Sequence, residues 1–308
     1  MTGDAGFLEE MTRSSRERML RAQRACSEAA LLERARQCQP APVLRADPAG
    51  FDLIAELKFR SPAAGRLQPR ADDIAARVVG YARAGAAAVS ILTEPTRFDG
   101  SLEHLELAAR ALEPLQVPVM RKDFIVAPYQ IIEARVAGAG GVLVILRMLS
   151  KPAIGELLDC ARSLGLFVLL EAFDAGDIET LHGILGAASA PATLLAGLNC
   201  RDLTTLQIVP KRLQELAPLL PVSVPRVAES GVTSPSDAAT VAAAGYQYAL
   251  VGSALMGEDD PQRLAGALLK AGHDQARRDQ ARRDQVSHDQ ADRDQLQAGR
   301  GPRRQSPP

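Results

Sequence analysis

Tryptophan is absent from the chain, and aromatic residues of any kind are few: four Tyr and seven Phe in 308 residues. The interior must therefore be filled by Ala, Leu, Val and Ile, and the 46% apolar share supplies enough of them. Cysteine is sparse as well. The four, at 26, 38, 160 and 200, include no pair at CxxC or zinc-finger spacing, and a chain of this size needs no disulfide staples, so they read as reduced thiols. An excess of one charge is also missing. Lys and Arg number 36 against 37 Asp and Glu, which leaves no global field for nucleic acid or an anionic membrane. No stretch of about 18 apolar residues is present to span a bilayer. The first twenty residues, "MTGDAGFLEEMTRSSRERML", are charged throughout and lack the apolar centre of a signal peptide. The expectation is a cytoplasmic protein with neither nucleic acid nor membrane as partner.

Residues 7–38 are rich in strong helix formers with apolar residues at helical spacing, and read as one helix. Phe7, Leu8, Met11, Met19 and Leu20 would form its docking stripe. Pro40, Pro42 and Pro48 end it. A regular rhythm follows. Short β-type runs fall at 51–59, 86–94, 118–124, 140–147, 166–173, 193–200, 226–231 and 248–255, separated by helical patterns that often end in Gly. Strands apolar enough to be buried on both faces, alternating with helices, point to a parallel sheet under helices. Eight such units suit a closed (β/α)8 TIM barrel, a fold of about 250 residues. The alternative is an open doubly wound sheet. No glycine fingerprint follows the first strand, and "GAGG" (138–141) precedes a strand instead of opening a helix, so it fails the dinucleotide test. The expected organisation is a helical extension over 1–45, a barrel over 46–272 and a low-complexity tail over 273–308. The tail runs as pentads, "HDQAR RDQAR RDQVS HDQAD RDQLQ", with almost nothing apolar to bury, which predicts disorder.

Polar residues recur at one end of the strands. "IAELKF" carries Glu56 and Lys58 two apart, so both point the same way from what otherwise reads as a buried strand. The third run ends at Lys122, the fifth at Glu171 and the sixth at Asn199, followed by Arg201. The seventh ends in Glu229-Ser230-Gly231 and the eighth in Gly252-Ser253. In barrels of this kind that end holds the active site; the bland alternative is a salt-bridge lattice closing the mouth. None of the four His, at 104, 182, 273 and 288, falls on a strand end, which argues against a metal site and against a His base. The set left can do acid–base chemistry on a carbonyl or hydroxyl, given retuned pKa values, and a Lys beside another ammonium is expected to have a lowered one. Gly231, Gly252 and Ser253 stand where (β/α)8 barrels often bind phosphate through backbone N–H groups.

Over roughly residues 5–270 the chain resembles the indole-3-glycerol phosphate synthase family. "IAELKFRSP", "VSILTEPTRFDGS", "RKDFIVAPYQIIEARVAGA", "GLNCRDLTTLQI" and "VAESGV…LVGSALM" resemble five of its motifs, in order. The resemblance implies a TIM-barrel carbon–carbon lyase of tryptophan biosynthesis. It closes 1-(2-carboxyphenylamino)-1-deoxyribulose 5-phosphate to an indole with loss of CO2 and water, with no metal or organic cofactor. It implies Lys122 as the acid toward the ketone and Glu171 in the dehydration. Lys58 would sit by the substrate carboxylate and share the acid role, and Glu56 would orient these groups. Asn199 and Glu229 would lie around the sugar chain, with Ser61, Phe98 and Arg201 lining the site and Ser230, Gly231, Gly252 and Ser253 at the phosphate. Association with other enzymes of the tryptophan pathway is a further implied partnership. The chain departs from the family's pattern at Ala63 and Ala64, at Phe59 where a polar residue is common, and at Cys200. These leave room for a paralogue acting on a substituted anthranilate, and a non-catalytic binding barrel is the reading from another class.

Overall fold

A computed structural model describes residues 4–61, 65–66, 74–187, 193–202 and 205–298, with side chains for 6–60, 65, 74–186, 193–202 and 205–286. All eight expected runs are strands: β1 (Asp52–Leu57), β4 (Ala88–Leu92), β5 (Val119–Lys122), β6 (Gly141–Ile145), β7 (Phe167–Ala172), β8 (Leu194–Asn199), β9 (Arg226–Glu229) and β10 (Tyr248–Val251). They pair in parallel and in sequence order, and β1 bonds to both β4 and β10, so the sheet closes into a barrel. Two short strands that the sequence reading did not anticipate, β2 (Arg60–Ser61) and β3 (Gly65–Arg66), pair antiparallel in the loop after β1. Pro62, Ala63 and Ala64 lie outside the described residues, as does the side chain of Ser61.

Helices α3 (Ile74–Arg83), α5 (Leu102–Leu112), α6 (Pro128–Val136), α7 (Lys151–Ser163), α8 (Ala175–Ala187), α9 (Lys211–Leu216) and α10 (Pro235–Ala243) follow the strands. Short α4 (Pro95–Phe98) and α11 (Ser253–Gly257) follow β4 and β10 directly. Several starts are legible in their caps: Ser101, Ser150 and Ser234 each accept a backbone N–H of the first turn of the helix they open, which satisfies a donor the helix leaves orphaned.

Strand alternation sorts the core into two layers. Leu53, Ala55 and Leu57 of β1 pack outward against the helices with Val89, Ile91, Val142 and Val144. Ile54 turns inward with Ala88, Met120, Leu143, Leu169, Leu195, Val227 and Leu250 to fill the barrel. With no Trp to bury, this interior is built from medium-sized aliphatic chains and two aromatics low in the barrel, Phe167 and Tyr248.

The N-terminal segment is two helices, not the single one expected. α1 (Asp4–Ala25) ends and α2 (Glu28–Gln37) begins two residues later. Ser27 is the reason: its side chain accepts from Ala30 N as the cap of α2, and the carbonyl of Cys26 accepts from Tyr129 Oη at 2.9 Å. Of the docking stripe, Leu8, Met11 and Met19 are buried, whereas Leu20 is exposed.

The boundary expected at residue 272 falls inside a helix. α12 (Pro261–Ala298) leaves the barrel and runs on through the pentads. Each pentad sets a Gln four residues before the next Asp, and Gln275–Asp279 and Gln280–Asp284 are bonded at 2.9 and 2.7 Å. Such i,i+4 pairs support a helix that has no apolar stripe. A five-residue repeat advances about 140° around a 3.6-residue helix, so no face accumulates a single character. The first pentad is docked: His273 Nε2 donates to the carbonyl of Phe51 at 2.7 Å, and Ala276 packs on the outer core. Among the described residues no helix is long and apolar enough to cross a membrane.

Removing residues 287–308 should leave the melting temperature unchanged. Ending the chain at Gly272 removes the His273 bond and the Ala276 contact, and should cost about 1–2 kcal/mol. Thermal denaturation should then show a fall of roughly 2–8 °C.

Candidate active site

The carboxyl ends of the strands converge on one cavity lined by Glu56, Lys58, Phe98, Lys122, Glu171, Asn199, Arg201, Glu229, Ser230, Gly231, Gly252 and Ser253. Every site residue expected from the sequence is there except Ser61, whose side chain is not among those described. Register explains the gathering. Glu171 pairs with Gly197, and Asn199 pairs with Glu229, so inward-pointing groups of β7, β8 and β9 come level. Two glycines make the room. A Cβ on Gly197 would overlap Glu229 Oε1, and one on Gly252 would overlap Glu56 Oε1, so any larger residue would push a carboxylate aside.

Lys122 Nζ sits among three carboxylates, 3.0 Å from Glu229 Oε2, 3.6 Å from Glu171 Oε1 and 4.0 Å from Glu56 Oε2. Glu56 also binds Lys58 Nζ at 2.6 Å through its other oxygen. Asn199 Nδ2 donates to Glu171 Oε1 at 2.7 Å, and Asn199 Oδ1 accepts from Arg201 N at 2.9 Å. Burial pushes the Glu56 carboxyl toward the neutral form, but the ammonium groups of Lys58 and Lys122 outweigh it and the net shift is downward. The expectation of a lowered Lys122 pKa is corrected here. Burial does act to lower it, yet Glu229, Glu171 and Glu56 together outweigh burial and hold the ammonium well above the usual lysine range. Three carboxylates against one neighbouring ammonium decide the sign. Glu229 moves the other way from an ordinary carboxylic acid: burial, with Glu171 adding to it, raises it to about 8 against the pull of Lys122.

The opposite wall is apolar and aromatic. Phe124, just past β5, takes Phe7 of α1 edge-on at 5.9 Å between centroids and Phe98 at 6.2 Å. Leu8, Leu143, Ile145 and Phe173 extend this wall. Phe98 is set by Glu94, a fully buried cap whose oxygens accept from Thr96 N and Arg97 N at 2.9 and 2.7 Å. At the other end, Ser230 and Gly231 both have positive φ, 67° and 75°, which turns the chain after β9 beneath the cavity. Two of the departures from the family pattern point elsewhere: Phe59 and Cys200 belong to the outer core layer and do not line the cavity.

A charged network behind Lys122 was not foreseen. Asp123 is buried and accepts from Arg121 Nη2 at 3.0 Å, Thr93 Oγ1 at 2.7 Å and Phe124 N at 2.8 Å. Arg18 of α1 joins it through both terminal nitrogens, at 2.8 and 3.2 Å. Ser15 of α1 donates to the Phe124 carbonyl and accepts from Gln130 Nε2. One carboxylate thus anchors the end of β5, beside Lys122, and the helix that brings Phe7 and Leu8 to the cavity. The signal was visible in "RKDF", whose Asp follows directly on a buried strand; its partner Arg18 lies 105 residues away and was not.

A family model described as indole-3-glycerol phosphate synthase matches residues 8–268. The indole-3-glycerol phosphate synthase of Parafrankia sp. (strain EAN1pec) is 42% identical over 226 residues, 73% of this chain and 80% of that protein. Indole-3-glycerol phosphate synthase 1 of Streptomyces coelicolor is 38% identical over 252 residues, 80% of this chain and 89% of that one. The synthase of Mycobacterium leprae (strain TN) is 39% identical over 256 residues, 82% and 89%. Among solved structures, a 3-hexulose-6-phosphate synthase from Salmonella typhimurium superposes with a TM-score of 0.54 at 16% identity, over 73% of this chain and 100% of that one. At that identity it shows the fold alone.

Asp123→Asn keeps the shape and removes the charge that holds two arginines. Breaking a buried pair in this way should destabilise the protein by about 3–5 kcal/mol. The Asp123 carboxyl is held well below the usual range, with Arg121 and Arg18 outweighing burial. Its stabilisation is therefore present above the unfolded value of about 4 and is lost as pH falls below it. Urea titrations at neutral and acidic pH should show the acid loss in the wild type and a flatter profile in Asp123→Asn; parallel profiles would refute this role.

Proposed function

The chain belongs to the indole-3-glycerol phosphate synthase family, and from that premise we propose how its barrel mouth carries the reaction. The protein is a decarboxylating carbon–carbon lyase of tryptophan biosynthesis that forms indole-3-glycerol phosphate. Its substrate has an aromatic ring with a carboxylate, an amine-linked sugar chain with a ketone, and a phosphate at the far end. The cavity has three corresponding regions. The Phe7, Phe98 and Phe124 wall suits the ring, and Lys58 beside Glu56 suits its carboxylate. Ser230, Gly231, Gly252 and Ser253 suit the phosphate, with backbone N–H groups and a helix start offering donors to an anion.

The observation that carries the reading is Lys122 seated in the centre of a charged cluster, 3.0–4.0 Å from three carboxylates. Its raised pKa keeps it loaded with a proton at any physiological pH. Such a lysine gives up its proton only to an oxygen that is gaining negative charge, which is the ketone oxygen as the ring carbon attacks. Preorganised donors aimed at developing charge in a water-poor site are worth several kcal/mol. Loss of CO2 then restores the aromatic ring. Glu171, oriented by Asn199, takes the carbon-bound proton as water leaves, and Glu56 orients the two ammonium groups. Arg201 closes the mouth, and Ser61 completes the first loop. The same reading puts the enzyme in the cytoplasm, alongside other enzymes of the tryptophan pathway.

Incubation with the carboxyphenylamino substrate should produce indole fluorescence. Lys122→Ala should lower kcat by about 10²–10⁴, the range for removal of a general acid, equivalent to roughly 3–5 kcal/mol. KM should change little, because the proposed phosphate grip is untouched. Lys122→Arg should fare nearly as badly, since a guanidinium hardly releases a proton. If Lys122→Arg keeps more than about a tenth of wild-type kcat, Lys122 is an electrostatic anchor and the acid lies elsewhere.

A further inference from the structure

We propose that Glu229 is the proton store of this site: it is neutral in the resting enzyme and reloads Lys122 after Lys122 has protonated the substrate. The inference rests on the reaction given above and concerns a step that reaction requires. Ring closure puts one proton on the ketone oxygen. Dehydration puts a second on the same oxygen, so that it leaves as water, and removes one from carbon. Two protons go in and one comes out. An acid that serves both events must be refilled between them.

The geometry around Glu229 suits that task. Its Oε2 is 3.0 Å from Lys122 Nζ, the shortest of the three carboxylate contacts to that ammonium. Its Oε1 is buried and has no hydrogen-bond partner among the described residues, lying in the slot left by Gly197 against Leu169. An ionised carboxylate with a bare oxygen in such a slot is costly, and a protonated one is not. The charged and polar neighbours agree. Facing Glu229 are Lys122 from β5, Glu171 from β7, Asn199 from β8 and, beyond Leu250 of β10 and Gly252 just after it, the Glu56–Lys58 pair at the end of β1. Two ammonium groups serve three carboxylates, and beyond the shared Lys122 the Glu229 carboxyl has no second side-chain donor among the described residues. Glu171 has Asn199, and Glu56 has Lys58. The upward shift to about 8, from burial first and Glu171 second, is in keeping with this.

The transfer balances. Lys122 N–H breaks as the substrate O–H forms. Glu229 O–H then breaks as the Lys122 N–H re-forms, leaving Glu229 as a carboxylate beside an ammonium. Lys122 gives this second proton to the hydroxyl as its C–O bond breaks, and the proton that Glu171 takes from carbon returns to Lys122, 3.6 Å away. One proton from solvent then restores Glu229, matching the single proton that loss of CO2 from a carboxylate consumes. Nothing is oxidised or reduced.

The test reads the resting full-length enzyme by infrared spectroscopy, following the C=O stretch of a protonated carboxyl group. At about pH 7.5 the band should be present, and it should titrate away with a midpoint near 8. Asp52, also raised, to about 6, is largely ionised by then, and Asp52→Asn identifies its share. Glu229→Gln should abolish the band, while Glu171→Gln should keep a band that titrates at lower pH, because Glu171 favours the protonated form. Glu229→Gln cannot pass a proton to Lys122, so kcat should fall about 10–100-fold with KM within about threefold, and the alkaline limb that the raised Glu229 carboxyl gives the pH–kcat/KM profile should vanish. A wild type without the band at pH 7.5, a band that survives Glu229→Gln, or a Glu229→Gln enzyme with full kcat would overturn the proposal. The wild-type band decides the storage claim even if the variant does not fold. It does so without turnover, so a chain that made no indole product would refute the reaction and leave the protonation result standing.

Discussion

Four ionisable side chains are buried at the mouth of this barrel around a fifth, the half-buried Lys122, and much of the rest of the molecule is arranged to make that tolerable. Removing a carboxylate or an ammonium from water costs several kcal/mol even after relaxation, and a lone one would neutralise instead. Glu56 and Lys58 meet at 2.6 Å, and Lys122 is shared among three acids. The compensation is strong but incomplete. The Glu229 carboxyl has Lys122 as its one side-chain donor and its other oxygen unpaired among the described residues, and the imbalance gives the site its capacity to hold a movable proton. It also prepares the site for a ligand that brings charge of its own, because Lys58 and Arg201 remain at the cavity surface to meet it.

That cluster needs walls that do not yield. Inward side chains of β5, β7, β8 and β9 are brought level by parallel register, and glycines at 197 and 252 keep the floor clear for carboxylate oxygens. Behind Lys122 the alternate face of the same strand carries Arg121, which bonds the carbonyl of Gln130 at 2.8 Å and Glu133 at 3.2 Å. Asp123 gathers Arg121, Thr93 and Arg18 onto one carboxylate. Two charged systems therefore stand back to back across one strand end, one facing the cavity and one facing the helices. The outer one also ties down α1, so the aromatic wall and the position of Lys122 share an anchor.

The departures from the family's residue pattern read differently once the parity of each position is known. Phe59 packs outward with the ring of His104 at 4.6 Å, and Cys200 lies under Gly231 in the outer core. Both are packing changes one layer away from the chemistry. They give no support to an altered substrate, and the cavity groups proposed to act on protons are all present. Ala63 and Ala64 fall outside the described residues.

The eight strands, their order and the polar groups at their carboxyl ends were legible from the sequence because they are local. Alternation with period two, turn residues and caps act within a few positions, and the ring of Glu56, Lys58, Lys122, Glu171, Asn199 and Glu229 follows once the strands are counted. The break between α1 and α2 was local too, since Ser27 is a good cap, but a long run of helix formers masked it. The start of the pentads inside α12 was not legible, because a segment without an apolar stripe gives no helical signal, whereas Gln and Asp at i,i+4 and a docked His273 support the helix there. What the tertiary structure alone decided is electrostatic. The upward shift of Lys122, the bare oxygen of Glu229 and the pairing of Asp123 with Arg18 depend on distances of a few ångströms between residues up to 107 positions apart. The identities of these residues are written in the chain. The sign of each pKa shift is not, because it is the small difference between burial and several nearby charges, and both exist only after the barrel has closed.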